Sequence, residues 1–354
     1  MTQTSPVLLV AVGDIMLGRG VKTAPVRDAA QLLSPELLRA LKGDIVTGNL
    51  ECLIGSKGTP SPTSHSHFQG DPDFAQPLLS RFDVVSVANN HIGDFGDNAI
   101  AETLAWLDDI GVARVGVGKT IDEATAPAVF DIQGQKVAVF GATTVASNVA
   151  SSAYQLASPG PELYRRAAEH QEAGYTCILH LHAGGGDVCH PAPAVRHLME
   201  EIKAEGFTIV FGHHPHVLQG FDLSPRWSVF YSMGDFLFDK LESGRDQALV
   251  VTAYLNGDGS ATSIEIDIAQ RSPDLHLSLQ SGEARRQGLQ SLGVLSDMII
   301  SGASDEAYVA WRGSKLSAVL RSICGDFRAG GWKALWAKLG RINKRKMIDL
   351  VFRR

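Results

Sequence analysis

The chain has 354 residues, of which 44% are hydrophobic and 20% charged, an ordinary balance for a soluble globular protein able to bury a substantial core. Its four cysteines, Cys52, Cys177, Cys189 and Cys324, are widely spaced with no C-x-x-C pair, which excludes a disulfide framework and suits a reducing compartment. The formal net charge of −6 hides an asymmetry, because Arg312 to Arg354 carries 12 Lys/Arg against two acids; that segment is strongly basic and the rest acidic.

The first apolar run, Val7 to Val12, follows no basic stretch and is too short for a signal h-region or a membrane span. It reads as a first strand, and the expected location is cytoplasmic. Strand-like and helix-like segments then alternate to about residue 216. The spacing predicts helices over 34–42, behind the N-cap Ser34, and over 72–81, 97–110, 161–173 and 193–205, the last three stopping before glycines. A hairpin is expected at Gln133-Gly134, between Ala128–Ile132 and Lys136–Phe140. Beyond residue 227 come consecutive strands, Trp227–Met233, Ala248–Leu255 and Ala261–Ile268, the last two joined by the hairpin signal Asn256-Gly257-Asp258-Gly259. Mixed βα units followed by antiparallel strands indicate an α/β fold, a two-sheet sandwich with helices outside. The turn-rich stretch 55–70 is expected as an exposed loop near the site. The domain reading is a main body over 1–270, a linker with one helix over 271–311 and a basic tail over 312–354.

Several apolar runs end in polar residues: V-L-L-V-A-V-G-D to Asp14, V-T-G-N-L-E to Glu51, V-S-V-A-N-N-H to His91, I-L-H-L-H to His182 and I-V-F-G-H-H-P-H to His216. In open α/β sheets the loops after strand C-termini converge on one crevice. Asp, Glu, Asn and His delivered there match a mono- or dinuclear transition-metal centre, which lowers the pKa of water and clamps an oxyanion. Glu51 or Asp14 would bridge two ions. Asn90 and His91 are adjacent, so one suits the metal and the other a general acid. Taken singly, Asp14 reads as a turn or helix cap. His180 and His182 alternate, so one of them is expected at the site. Three imidazoles around Pro215 have little structural purpose and point to metal. His65 and His67 read as solvated loop residues, and His170, His190 and His197 as structural or exposed.

Gly13-Asp14-Ile15-Met16-Leu17-Gly18-Arg19, Asn49-Leu50-Glu51, Ala88-Asn89-Asn90-His91, Gly212-His213-His214-Pro215-His216 and Tyr231-Ser232-Met233-Gly234-Asp235-Phe236 occur in the order found in the CapA family. The chain resembles that family of capsule or poly-γ-glutamate synthesis proteins, itself similar to the calcineurin-like metallophosphatases. The resemblance spans residues 7 to about 240. It implies a four-layer αββα sandwich with a centre of one or two divalent transition-metal ions (Mn, Zn or Fe). It also implies Asp14, Glu51, Asn90, His182, His214 and His216 as ligands, with Asp14 and Asn90 at the catalytic centre. His91 would then be the acid that protonates the leaving group, and Arg19, Asp235 and His213 would meet an anionic substrate. Three departures stand out. Met16 occupies the His position of the D-x-H pattern, Gly186 the Glu position of H-W-G-x-E with Asp187 one residue late, and Asp235 the Asn of G-N-F.

In the tail, Trp332, Leu335, Trp336, Leu339 and Ile342 share one helical face, with Lys333, Lys338, Arg341, Lys344 and Arg345 elsewhere. Such a basic amphipathic helix docks on the main body, lies on a membrane surface or meets a polyanion; no nucleic-acid-binding motif accompanies it. The function expected is a metal-dependent hydrolase acting on a phosphoester or an anionic polymer during surface-polymer synthesis. The alternative is a non-catalytic accessory protein that binds an acidic polymer or a synthase partner.

Overall fold

The computed structural model describes residues 5–64, 66–147, 153–224, 226–239, 245–256 and 260–315. Two sheets carry the fold. The first runs Leu277–Leu279, Ala261–Arg271, Gln247–Leu255, Val7–Ile15, Ile45–Leu50, Val84–Ser86, Ala113–Val115, with Asp235–Leu237 also paired to Val7–Ile15. The second runs Phe221–Leu223, Ser228–Phe230, Ile209–His213, Tyr175–His182, Gln135–Thr143, Ala128–Ile132. Val7–Ile15, Ile45–Leu50 and Val84–Ser86 are parallel, as are Gln135–Thr143, Tyr175–His182 and Ile209–His213. Parallel strands need buried faces on both sides, and their near-continuous apolar runs supply them.

The layering follows from alternation along each strand. Leu9, Ala11, Ile45 and Val84 pack between the sheets against Val137, Val139, Ile178 and Phe211. Val10, Val12 and Val46 point the other way, onto Leu37, Leu78, Ile100 and Leu104 of the helices Pro35–Ala40, Pro72–Leu79 and Asp97–Asp109. On the far side, Phe140, Leu179 and Val210 meet Leu163 and Ala167 of Pro161–Glu172 and Met199 and Ile202 of Pro193–Ala204. The order is helix, sheet, sheet, helix: the four-layer αββα sandwich. All five helices expected from spacing are present, and Ser34, Asp71 and Thr120 cap helix starts through their side chains.

The linker expected over 271–311 is instead built into the body. Leu277–Leu279 forms the edge strand of the first sheet, and a 20-residue helix, Gly282–Ser301, buries Leu292 and Ile299. Its sparse apolar positions, seven residues apart on one face, are too few to give a strong periodic signal. The strands flanking Asn256 pair antiparallel as expected, while residues 257–259 of that turn lie outside the described residues, as do His65 and the tail beyond 315. Among the described residues, no helix is long and apolar enough to cross a membrane.

Candidate metal centre

The centre forms where the parallel strands end. Asp14 lies near the end of Val7–Ile15 and Glu51 just past Ile45–Leu50; His182 ends Tyr175–His182, and His214 and His216 follow Ile209–His213. Two glycines let the strands close in. A Cβ on Gly13 would lie 2.1 Å from the Gly234 carbonyl oxygen, and one on Gly212 would lie 2.2 Å from that of Tyr231. His214 and His216 both adopt left-handed backbone conformations, φ 96° and 62°, a strain that persists where surrounding structure imposes it.

Asp14 and Glu51 are fully buried carboxylates with opposite surroundings. Asp14 Oδ1 accepts hydrogen bonds from Asn49 Nδ2 at 2.8 Å and His213 Nδ1 at 2.9 Å, and Oδ2 accepts from the His214 backbone N–H at 3.2 Å. Burial pushes its carboxyl up, yet the His213 bond and neighbouring imidazoles hold it well below the usual carboxylate range. Among the described residues, neither oxygen of Glu51 has a hydrogen-bond partner. Burial, then repulsion from Asp14 and Asp235, drives its carboxyl well above the ordinary value. Around Glu51 Oε1 stand His216 Nε2 at 3.7 Å and His182 Nε2 and His91 Nε2 at 3.8 Å. Burial is also the main cause that pushes His182 well down and His214 to about 3, so both are neutral donors at pH 7.

Donor atoms of Glu51, His182 and His214 lie within 4.8 Å of one another, and so do those of Asp14, Glu51 and His216. Glu51 belongs to both groups, so it sits where a bridging ligand would. Asn90 Oδ1 is 2.7 Å from His182 Nε2, close to the first group. A buried, unpartnered carboxylate ringed by imidazoles, with His182 and His214 neutral, fits a divalent transition metal in donor type. All six expected ligands are thus brought together.

The other expected site residues divide. His91 Nδ1 lies 2.7 Å from Asp94 Oδ2, and its ring stacks on Phe68 at 3.8 Å, which leaves Nε2 turned to the centre. Asp94 also accepts from the Phe68 N–H and the Ser64 hydroxyl. Sequence reasoning misses Asp94, although its spacing three residues after His91 is legible. Arg19 is partly exposed, paired with Asp239 at 2.9 Å and 5.1 Å over the Phe68 ring. Asp235, expected to meet substrate, is wholly buried, and its Oδ1 is 2.8 Å from His216 Nδ1. A carboxylate on the far nitrogen fixes the ring so that Nε2 faces Glu51. His213, also expected at the substrate, is buried between Asp14 and His180 and has no open face. His180 and His182 are two residues apart, so both point to the same side of the strand; His182 reaches the centre because it lies at the strand end, and His180 lies deeper.

Met16 is buried in the core beneath the helices, where its Sδ accepts the Gly18 N–H at 3.1 Å, so it adds no donor. Asp187 is exposed and pairs with Arg245 Nη1 at 2.9 Å instead of reaching the ligands. Arg245, which no sequence motif marks, is buried with Nε 3.6 Å from Asp235 Oδ2. His67 bonds the Ser61 carbonyl and His170 that of Arg166.

Residues 8–240 match the family described as Bacterial capsule synthesis protein PGA_cap. The chain belongs to this family. It is 27% identical to "Capsule biosynthesis protein CapA" of Bacillus anthracis, over 74% of this chain and 67% of that protein. It is 29% identical to "PGA biosynthesis protein CapA" of Bacillus subtilis (strain 168), over 74% of this chain and 72% of that one. A "5'-nucleotidase precursor" structure from Thermus thermophilus aligns with a TM-score of 0.43 at 14% identity, covering 81% of this chain and 58% of that chain. The PGA_cap match ends at 240, so it takes in every residue of the two donor groups and leaves Arg245 outside.

Proposed function

We propose that this PGA_cap protein is a metal-dependent hydrolase that cleaves a phosphoester or an anionic polymer during synthesis of a capsule or poly-γ-glutamate-type polymer. The observation that carries it is the pair of Glu51 oxygens that have no hydrogen-bond partner among the described residues and lie inside a ring of imidazoles. Asp14, Glu51 and His216 would hold one divalent ion, and Glu51, His182, His214 and Asn90 a second. Ions bound there would supply activation of water and neutralisation of developing negative charge.

The chain's own groups supply the rest. His91 Nε2 faces the centre while Asp94 accepts the Nδ1–H, so Nε2 is the nitrogen through which the imidazolium form would pass a proton to a leaving group. Phe68 covers one face of that imidazole and limits its access to water. Arg245, between Asp187 and Asp235, helps to hold the Asp235 carboxylate that orients His216. The accessory-protein reading has one observation in its favour: Met16 is turned into the core, leaving the Asp14 group with three donors.

Elemental analysis of protein purified without chelator tests the centre. One or two transition-metal ions per chain are expected, lost in a His214→Ala/His216→Ala variant. No stoichiometric metal after reconstitution with Mn or Zn would favour the accessory role.

A further inference from the structure

Behind the ligands runs a line of buried polar groups that the proposed chemistry does not use. Thr47 Oγ1 lies 2.8 Å from His180 Nε2, His180 Nδ1 lies 2.9 Å from His213 Nε2, and His213 Nδ1 lies 2.9 Å from Asp14 Oδ1. None of the four is more than 1% exposed. Thr47 belongs to the first sheet and the two histidines to the second, so the line crosses the space between the sheets. We propose that Thr47, His180 and His213 form a positioning relay that holds Asp14 with Oδ1 committed to side-chain donors and Oδ2, which takes only the His214 N–H, presented to the centre. The proposal rests on the metal-centre reading above.

Both ends impose the same polarity. Asp14 is a pure acceptor here, because Asn49 Nδ2 and the His214 N–H donate to it as well; His213 must therefore donate through Nδ1. A neutral imidazole has one donor and one acceptor, so His213 Nε2 accepts from His180 Nδ1–H. His180 Nε2 in turn accepts the Thr47 hydroxyl proton. The opposite direction would put a proton on Asp14 and turn three aligned bonds against the Asn49 and His214 donors. With two donors on Oδ1, Asp14 binds an ion through Oδ2 alone. That oxygen lies 3.7 Å from His216 Nδ1, on the side of the Asp14, Glu51 and His216 group. The rings of His180 and His213 stack at 5.2 Å, with Phe211 5.3 Å from His180, so neither ring is free to turn.

The test uses the full chain. Long-range proton–nitrogen NMR on metal-free protein reads the tautomers directly. His180 and His213 are both expected as Nδ1–H, and an Nε2–H form at either overturns the relay. Zn²⁺ affinity, measured by chelator competition, is then compared between Thr47→Val, which is isosteric without the hydroxyl, and Thr47→Ser, which keeps it. Thr47→Val is expected to bind about ten-fold more weakly, within the range for groups that support a ligand, and Thr47→Ser to recover most of that loss. Equal affinities in the two variants also overturn the proposal. If Thr47→Val does not fold, the wild-type tautomers decide. Wild-type protein that binds no Zn²⁺ would remove the metal reading alone, and the tautomers would still settle the relay.

Discussion

The Asp14 and Glu51 sides of the centre are equally buried and built on neighbouring strands, yet they are prepared in opposite ways. Asp14 has three hydrogen-bond donors and a relay behind them; Glu51 has none. A carboxylate satisfied by the protein is fixed before any ion arrives. One left bare inside a protein is costly until a cation joins it. The contrast assigns positioning to one side and ion capture to the other.

The largest expected effect lies on the Glu51 side. His91→Asn should lower turnover of a Mn-activated phosphodiester by roughly 10²–10⁴, the usual range for a general acid, with metal content unchanged. Turnover equal to wild type would take His91 out of the reaction. Next, Glu51→Gln should weaken Mn or Zn binding by more than the roughly 10–100-fold typical of supporting groups. The same variant should leave the metal-free protein as stable as wild type or more so. Asp14→Asn should do the reverse to stability: its amide cannot accept from every donor now aimed at Asp14, at a cost of about 1–3 kcal/mol for a buried group left unsatisfied. Urea denaturation of chelator-stripped proteins checks both, and similar losses in the two variants would erase the contrast.

The candidate ligands are legible because each lies at or just past the end of an apolar run, and strand C-termini in parallel sheets share one edge. The supporting groups are not, for separable reasons. Asp94 follows His91 by three residues, a local spacing open to reading but shared with many helix-cap and turn carboxylates. Asp235 and His213 sit beside motif residues, which suggests the substrate but says nothing about which way a side chain turns; burial turns both inward. His180 shares a face with His182, two residues away on the strand, yet its depth below the strand end decides that it supports the centre instead of binding in it. Arg245 and Thr47 carry no motif, and only the pairing of distant strands brings them to the centre. The helix Gly282–Ser301 escapes a periodicity reading as part of the body because it buries only Leu292, Ser296 and Ile299 fully, with Leu289 half-buried beside them.

The smallest predicted effect separates the two carboxylates by pH. In metal-free protein the Glu51 carboxyl is raised above its unfolded value, so the native state keeps a proton that the unfolded chain releases. That contribution is full below the unfolded value near 4.5 and is lost as pH rises through the folded one. Asp14 is displaced the other way; its contribution is present above the unfolded value of 3.8 and is lost only as pH falls further. Between about pH 5 and 7, then, Glu51 titrates against stability and Asp14 is constant. The stability of Glu51→Gln relative to wild type should rise across that window, by at most about 1.4 kcal/mol per pH unit. Asp14→Asn should show its deficit across the whole window with a shallower slope than Glu51→Gln, since Asp14 itself does not titrate there and only its effect on neighbouring groups changes with pH. A flat difference for Glu51→Gln would mean that Glu51 finds a counter-charge without metal, and the division between a positioned carboxylate and a waiting one would fall.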